Sequence, residues 1–211
     1  LHNWNPLKAF KVLDAERKNG KQVFTGAYMI NSPPGKGKLE AICERIDNVW
    51  RDRKNLLAEL TVPKLNPSLW GSNGHLTMKG VHERLMAYPG IAGFMSYEVV
   101  CDLRYTQLLI NAEDTMTWCN PGPGAIRGIY RLMGREFKKG SNSSAPPRPT
   151  DWDELTANLL KTTNKRLSAL GVKGRMPKLE MREIEHSLCE YDKYMRAVYG
   201  DGRMKRTYKG V

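Results

Sequence analysis

The sequence predicts a mainly α-helical protein, and three observations carry that expectation. Apolar residues recur at helical spacing over residues 39–60 and again over residues 177–199. Clusters rich in Gly, Pro and Asn, such as "NPSLWGSNGH" and "NAEDTMTWCNPGPG", punctuate the chain between the periodic stretches. One segment is β-rich in composition, "QVFTGAYMI" at residues 22–30, and its Gly26 leaves it open as a strand or an extended connector.

Each element follows in order. Residues 4–18 read as a short helix with Leu7, Phe10 and Leu13 facing inward and Val12 beside them. "NSPPGKGK" is a turn or loop that resembles a phosphate loop only superficially. GxxxxGK[ST] is absent, which rejects an in-chain P-loop kinase. Residues 39–60 carry Ile42, Ile46, Val49, Trp50, Leu56, Leu57 and Leu60 close to helical period, and Pro63 and Pro67 stop the run. A polar loop follows, then a helix or two up to Tyr88. "PGIAGFMSYEVVCD" then runs from a glycine hairpin into an apolar helix. The next helix starts near Ala125, and residues 140–150, "GSNSSAPPRPT", form a flexible loop. Asp151 with Glu154 three residues on resembles a capping-box start. The last long helix, residues 177–199, leads into a basic, glycine-containing tail. No internal repeat is evident, and residues 1–211 are expected to form a single domain.

Lys plus Arg number 34 against 22 Asp plus Glu, a formal net charge of +12 that favours a polyanionic partner, of which nucleic acid is the usual one. No stretch approaches the ~20 apolar residues needed to span a membrane. The N-terminus lacks a signal peptide's apolar core and an initiator Met, as expected of a processed or excised piece. Cys43, Cys101, Cys119 and Cys189 are scattered without a CxxC pair and the histidines lack zinc spacing, so no metal is expected.

Three stretches carry chemistry. In Pro89-Gly90-Ile91-Ala92-Gly93 the glycines have the form of a helix-hairpin-helix turn, where backbone and helix N-terminal amides approach a DNA phosphate. An ordinary helix–helix turn is the plainer reading. Ile91, Phe94, Met95, Val99, Val100, Cys101 and Leu103 surround most of the following helix, which is therefore expected to be largely buried. Glu98 and Asp102 share one face at i and i+4. Burying two like charges is costly, so the pair points to capping, cation binding or acid–base work. In "NPGPGAIRGIYRLMGREFKK", Gly122 and Gly124 precede a helix whose Arg127, Arg131, Arg135 and Lys138 fall on one face. That basic stripe suits a phosphate backbone, or else is a solvated surface. In "EIEHSLCEYDKYMRAVYG", Met181, Ile184, Leu188, Tyr191, Met195 and Val198 form an inward stripe, with Glu185 and Asp192 at its margin and Glu190 and Lys193 pointing away.

Taken together, "GIAGFMSYEVVCDLRYT", "NPGPGAIRGIYRL" and "HSLCEYDKYMR" resemble an all-helical, DNA-glycosylase-like family from bacteriophage thymine-hypermodification systems. That group includes the helical domain of 5-hydroxymethyluracil DNA kinases, the amino acid:DNA transferases and the alpha-glutamyl/putrescinyl thymine pyrophosphorylases. "VFTGAYMI" also fits, and the likeness covers roughly residues 20–200. The resemblance implies a DNA-glycosylase-like helical fold with a helix-hairpin-helix-type element that flips a modified thymine out of duplex DNA. It implies either a transferase that displaces pyrophosphate from the C5 methylene with an amine or amino acid, or the helical part of a kinase whose P-loop lies elsewhere.

On the transferase reading, Asp102 is the first choice for base or amine orientation and Glu98 its partner. Glu190, Asp192 and Lys193 are promoted by the resemblance alone. Arg104, Arg127 or Lys193 would meet the leaving pyrophosphate. Gly90, Gly93, Gly122, Gly124 and Arg131 would join the DNA contact. Tyr97 or Trp118 would stack on the flipped base, or belong to the core. No cofactor is expected beyond an amino acid or amine co-substrate. Expected partners are double-stranded DNA containing modified thymine and a DNA kinase of the same pathway, with no membrane, in the cytoplasm of an infected host cell. A non-catalytic DNA-binding module is the rival class. A true glycosylase ranks last, because Asp102 follows the hairpin too closely.

Overall fold

The computed structural model describes residues 4–24, 32–136, 146–170 and 178–200. Most of "VFTGAYMI", Lys138, the first half of the loop at 140–150 and the basic tail lie outside these residues. The described chain is helical, with only a lone bridge between Trp70 and Leu76 and no strand. The mainly α expectation holds. The chain divides into two compact units, Leu1–Ile110 and Asn111–Val211, parting within the turn-rich stretch that follows the apolar helix.

In the first unit, α1 (Pro6–Lys18) starts at Asn5, whose side chain accepts the Lys8 N–H at 2.9 Å, with Pro6 in the first turn. Leu7, Val12 and Leu13 do not face inward as expected. They are exposed, because α1 rests mainly on one helix, α2, and the flanks of its apolar stripe stay in water. The run over residues 39–60 is two helices, α2 (Lys38–Arg51) and α3 (Arg53–Thr61), parted at Asp52. Side-chain bonds hold the chain at the break. The Asp52 carboxylate accepts from Arg84 at 2.6 Å, the Tyr88 hydroxyl at 2.7 Å and Asn55 at 2.9 Å.

Next, α4 (Met78–Met86) is capped by Thr77, whose hydroxyl accepts the Gly80 N–H at 3.0 Å. Tyr88 to Ile91 forms a turn closed by the Ile91 N–H on the Tyr88 carbonyl. Pro89 takes its second position and Gly90, at φ +81°, its third, the left-handed position that type II turns reserve for glycine. α5 (Gly93–Leu103) then folds back on α4. The buried Ser96 hydroxyl donates to the His82 carbonyl at 2.7 Å, and Val100, Tyr97 and Cys101 enter the core.

The second unit contains α6 (Pro123–Leu132), α7 (Trp152–Ala169) and α8 (Met181–Tyr199). α6 lies directly on α8. A Cβ on Gly124 would come within 2.5 Å of the Cys189 Sγ, and one on Gly128 would strike the Leu188 carbonyl. These two glycines exist for close helix packing. Gly124 was expected in a phosphate-binding entry and is instead pressed against α8. Asp151 precedes α7 but makes no capping hydrogen bond, since its carboxylate is paired with Arg135. The true capping box is at α8, where Glu180 and Glu183 exchange side-chain-to-backbone bonds. Met181, Ile184 and Leu188 are buried as the periodicity requires, whereas Val198 is exposed.

Candidate functional site

The first unit holds an apolar groove of about 580 Å³ between α2 and α5, within the size range of small-molecule sites. Ile42, Ile46, Val49 and Trp50 form its α2 wall, and Phe94, Met95 and Val99 its α5 wall. Ile46, Phe94 and Val99 are exposed despite being apolar, so the groove is open to an incoming group. Four charged side chains join the lining, Arg45 and Arg53 from one side and Glu98 and Asp102 from the other. The Arg53 guanidinium lies 4.4 Å from the Trp50 ring centre, a cation–π arrangement that orients both.

This geometry corrects the expectation of two buried carboxylates. α5 is apolar on several faces, but its buried residues, Ser96, Tyr97, Val100 and Cys101, lie on one of them. Glu98 is half-buried and Asp102 exposed, so neither carries the full desolvation cost that burial would impose. They remain together, one turn apart on the wall of the groove. Gly90 is tied to the same place, because a Cβ there would sit 2.8 Å from the Arg45 Nε. A protein guanidinium therefore occupies one flank of the hairpin glycine. Gly93 is the first residue of α5, which has no side-chain cap.

Two other expected site residues of this unit are structural. Tyr97 is 2 % exposed and meets His82 edge-to-face at 6.3 Å, so it is core and presents no ring for a base. Arg104 donates to the Ile110 carbonyl at 3.1 Å and closes the turn after α5, in place of an open cation.

In the second unit Arg127 and Arg131 of the basic stripe turn onto a buried carboxylate, whereas Arg135 lies beyond the end of α6, exposed and paired with Asp151. The Arg127 Nε donates to one Asp192 oxygen at 3.0 Å and the Arg131 Nε to the other at 2.9 Å. Asp192 is not at the margin of its helix's apolar stripe but fully buried, and Arg196 ion-pairs with it at 3.2 Å. Fully buried and engaged on both oxygens by three guanidiniums, Asp192 presents no open oxygen to a substrate, unlike the base or orienting group expected there. Glu190 and Lys193 pair with each other on the exposed side of α8, and this pairing raises the Lys193 pKa. The buried Glu185 accepts the Gly122 N–H at 3.0 Å, so a protein carboxylate sits at the α6 N-terminus where a phosphate was expected. Trp118 is half-buried. Burial pushes the Cys119 thiol up to about 12 and raises Cys189 as well, leaving both poor nucleophiles.

Sequence reasoning missed Arg45, Arg53, Arg84 and Arg196. A signal for the first two existed. At 100° per residue Arg45 and Arg53 fall on the same face as Ile42, Ile46 and Val49, and a basic residue inside an apolar stripe marks a lip rather than a core. Arg84 bridges Asp52 and Glu59, reaching Glu59 at 2.7 Å, a long-range pairing that spacing does not show. Among the described residues no group of His, Cys, Asp and Glu is placed to hold a metal ion, and no helix is long and apolar enough to cross a membrane.

Comparison with known proteins adds three findings. The family model described as "5-hmdU DNA kinase, helical domain" matches residues 1–204. A protein named 5-hmdU DNA kinase from Bacillus phage SP10 is 25 % identical over 205 residues, a region covering 91 % of this chain and 29 % of that protein. The chain thus spans less than a third of the length of that relative. No solved structure matches.

Proposed function

Because this chain belongs to the 5-hmdU DNA kinase helical-domain family, we propose that it is the DNA-engaging helical part of a thymine-hypermodification system. In this reading it binds duplex DNA and receives a 5-hydroxymethyluracil-type base, turned out of the stack, in the α2–α5 groove. The single observation that supports it is the groove itself. Its apolar walls suit the faces of a base, and Arg45, Arg53, Glu98 and Asp102 offer donors and acceptors for its edges. Extrusion costs a few kcal/mol, which contacts of this kind and the basic chain's attraction for phosphates offset. The kinase chemistry named in the relative would require a nucleotide-binding part, and no Walker motif occurs in these 211 residues.

A second reading is favoured by one specific feature, the two carboxylates on the α5 wall. A transferase would use Asp102 or Glu98 to take a proton from an attacking amine. The amine nitrogen would bond to the C5 methylene carbon as the carbon–oxygen bond to pyrophosphate breaks. Mass spectrometry of nucleosides separates the two. Duplex DNA carrying 5-hydroxymethyluracil, with and without pyrophosphate on it, is incubated with the protein and candidate amines. A new aminated nucleoside supports the transferase. Tight, preferential binding of the 5-hydroxymethyluracil duplex with no new nucleoside supports the helical DNA-engaging part.

A further inference from the structure

We infer that Arg127 and Arg196, set in place by the buried Asp192, form a phosphate-binding site in the second unit. This site does not depend on the reading of the groove.

α6 presents Arg127 and Arg131 one turn apart, and α8 presents Asp192 and Arg196 one turn apart, so four side chains from two closely packed helices converge. Arg127 and Arg196 ion-pair through Nε with the same Asp192 oxygen, Oδ2, while Arg131 takes Oδ1. Among the described residues Arg127 and Arg196 have no other carboxylate partner, so one negative charge is shared between them and with Arg131. Asp192 is completely buried, and the Arg127 and Arg196 side chains are only 15 % and 20 % exposed. Excess positive charge in so poorly hydrated a place is costly unless an anion completes it. A purely structural link would need one arginine, since a single guanidinium can satisfy both carboxylate oxygens.

The geometry of the donors points to the anion. Arg127 and Arg196 face Asp192 through Nε, which leaves the Nη fork of each for a second acceptor. The Arg196 Nε is itself buried and, although close to Asp192, makes no hydrogen bond. The forks of two arginines whose Nε atoms share one Asp192 oxygen suit the paired oxygens of a phosphate group, and arginine in preference to lysine is the residue for such bidentate contacts. The nearby Lys193 is engaged with Glu190 on the exposed side of the helix. Asp192 acts here as a positioning residue that fixes the guanidinium planes.

The phosphate could be a diester of the DNA backbone or a free or terminal phosphate, and two probes distinguish them. The whole chain is titrated with inorganic pyrophosphate and with a short unmodified duplex at low salt. At least one probe should bind, and Arg127→Lys and Arg196→Lys, which keep the charge and lose the fork, should each weaken it about tenfold. Duplex binding that pyrophosphate does not displace assigns the site to the DNA backbone, and displacement by pyrophosphate assigns it to a free or terminal phosphate. In the unmutated protein, the bound probe should also slow phenylglyoxal modification of Arg127 and Arg196 relative to the exposed Arg51. This protection measurement stands even if a variant misfolds. Absence of binding by both probes, parent-like affinity in both folded variants, or unchanged labelling of both arginines would each overturn the site.

Discussion

Glu98 and Asp102 stand one helical turn apart on α5, and both line the groove whose other side carries Arg45 of α2 and Arg53 of α3. The pair therefore faces two cations across an apolar trough. That arrangement gives the carboxylates a role at a binding surface without requiring that both be buried. It also ties the hairpin to the groove, since the turn at Gly90 packs on Arg45, one of the lining residues.

Substituting the carboxylates should leave the fold almost untouched. Asp102 is exposed and Glu98 half-buried, so Asp102→Asn and Glu98→Gln should each change stability by no more than about 0.5 kcal/mol in denaturant titrations. If the chain performs amine transfer, Asp102→Asn should lower product formation by a factor of ~100 or more, read by mass spectrometry of digested DNA. A variant with full product yield would remove Asp102 from the chemistry.

Filling the groove should be more selective. Val99 is 41 % exposed on the α5 wall, so Val99→Trp adds bulk into open space with little strain. The variant should keep its affinity for unmodified duplex and lose any preference for duplex containing 5-hydroxymethyluracil, measured by fluorescence anisotropy. A retained preference would place base recognition elsewhere.

Much of this was legible from spacing. The α4–α5 turn is visible in "YPGI", because Pro followed by Gly fits the second and third positions of a type II turn. The α8 stripe is visible because Met181, Ile184 and Leu188 recur at helical period. The partners of charged residues were not legible. Arg127 and Arg131 form the same stripe whether they face solvent or a buried acid, and only the packing of α6 on α8 shows that Asp192 receives them. The exposure of Asp102 was hidden for a related reason, since hydrophobic neighbours in sequence do not say how many helix faces other elements cover. Asp52 interrupts an otherwise helical run through bonds to Arg84 and Tyr88, more than thirty residues away in sequence.

That network predicts an acid sensitivity. The Tyr88 hydroxyl and Arg84 hold the Asp52 pKa at about 2, below its ordinary 3.8, and Arg84 and Asn66 lower that of Glu59. Groups with lowered folded-state values stabilise fully above their unfolded pKa, and the contribution fades as pH falls through the folded value. The first unit should therefore lose stability between about pH 4.5 and pH 2. His82, whose burial resists protonation, adds a separate loss that begins nearer neutrality. Asp52→Asn should flatten the lower part of the profile in thermal melts taken across pH. A profile unchanged by the substitution would mean that the network contributes nothing.

The α6–α8 contact predicts a large effect from a small change. Gly128→Ala would push a methyl group into the Leu188 backbone carbonyl, which cannot rotate away, and should destabilise the second unit by about 1–3 kcal/mol. The helix-propensity gain of alanine, about 1 kcal/mol, opposes this and does not reverse it. Chemical denaturation of the variant would settle the sign, and a stabilised Gly128→Ala protein would show that the two helices can separate freely.

The central claim, that the α2–α5 groove receives an extruded base, is tested most directly with 2-aminopurine placed beside a single 5-hydroxymethyluracil in a duplex. Extrusion of the modified base unstacks its neighbour, so fluorescence should rise when the protein binds. The rise should be smaller with thymine at the same position and absent with the Val99→Trp protein at saturating concentration. Saturated binding with no fluorescence change for the 5-hydroxymethyluracil duplex, or an equal rise with the Val99→Trp protein, would contradict the account.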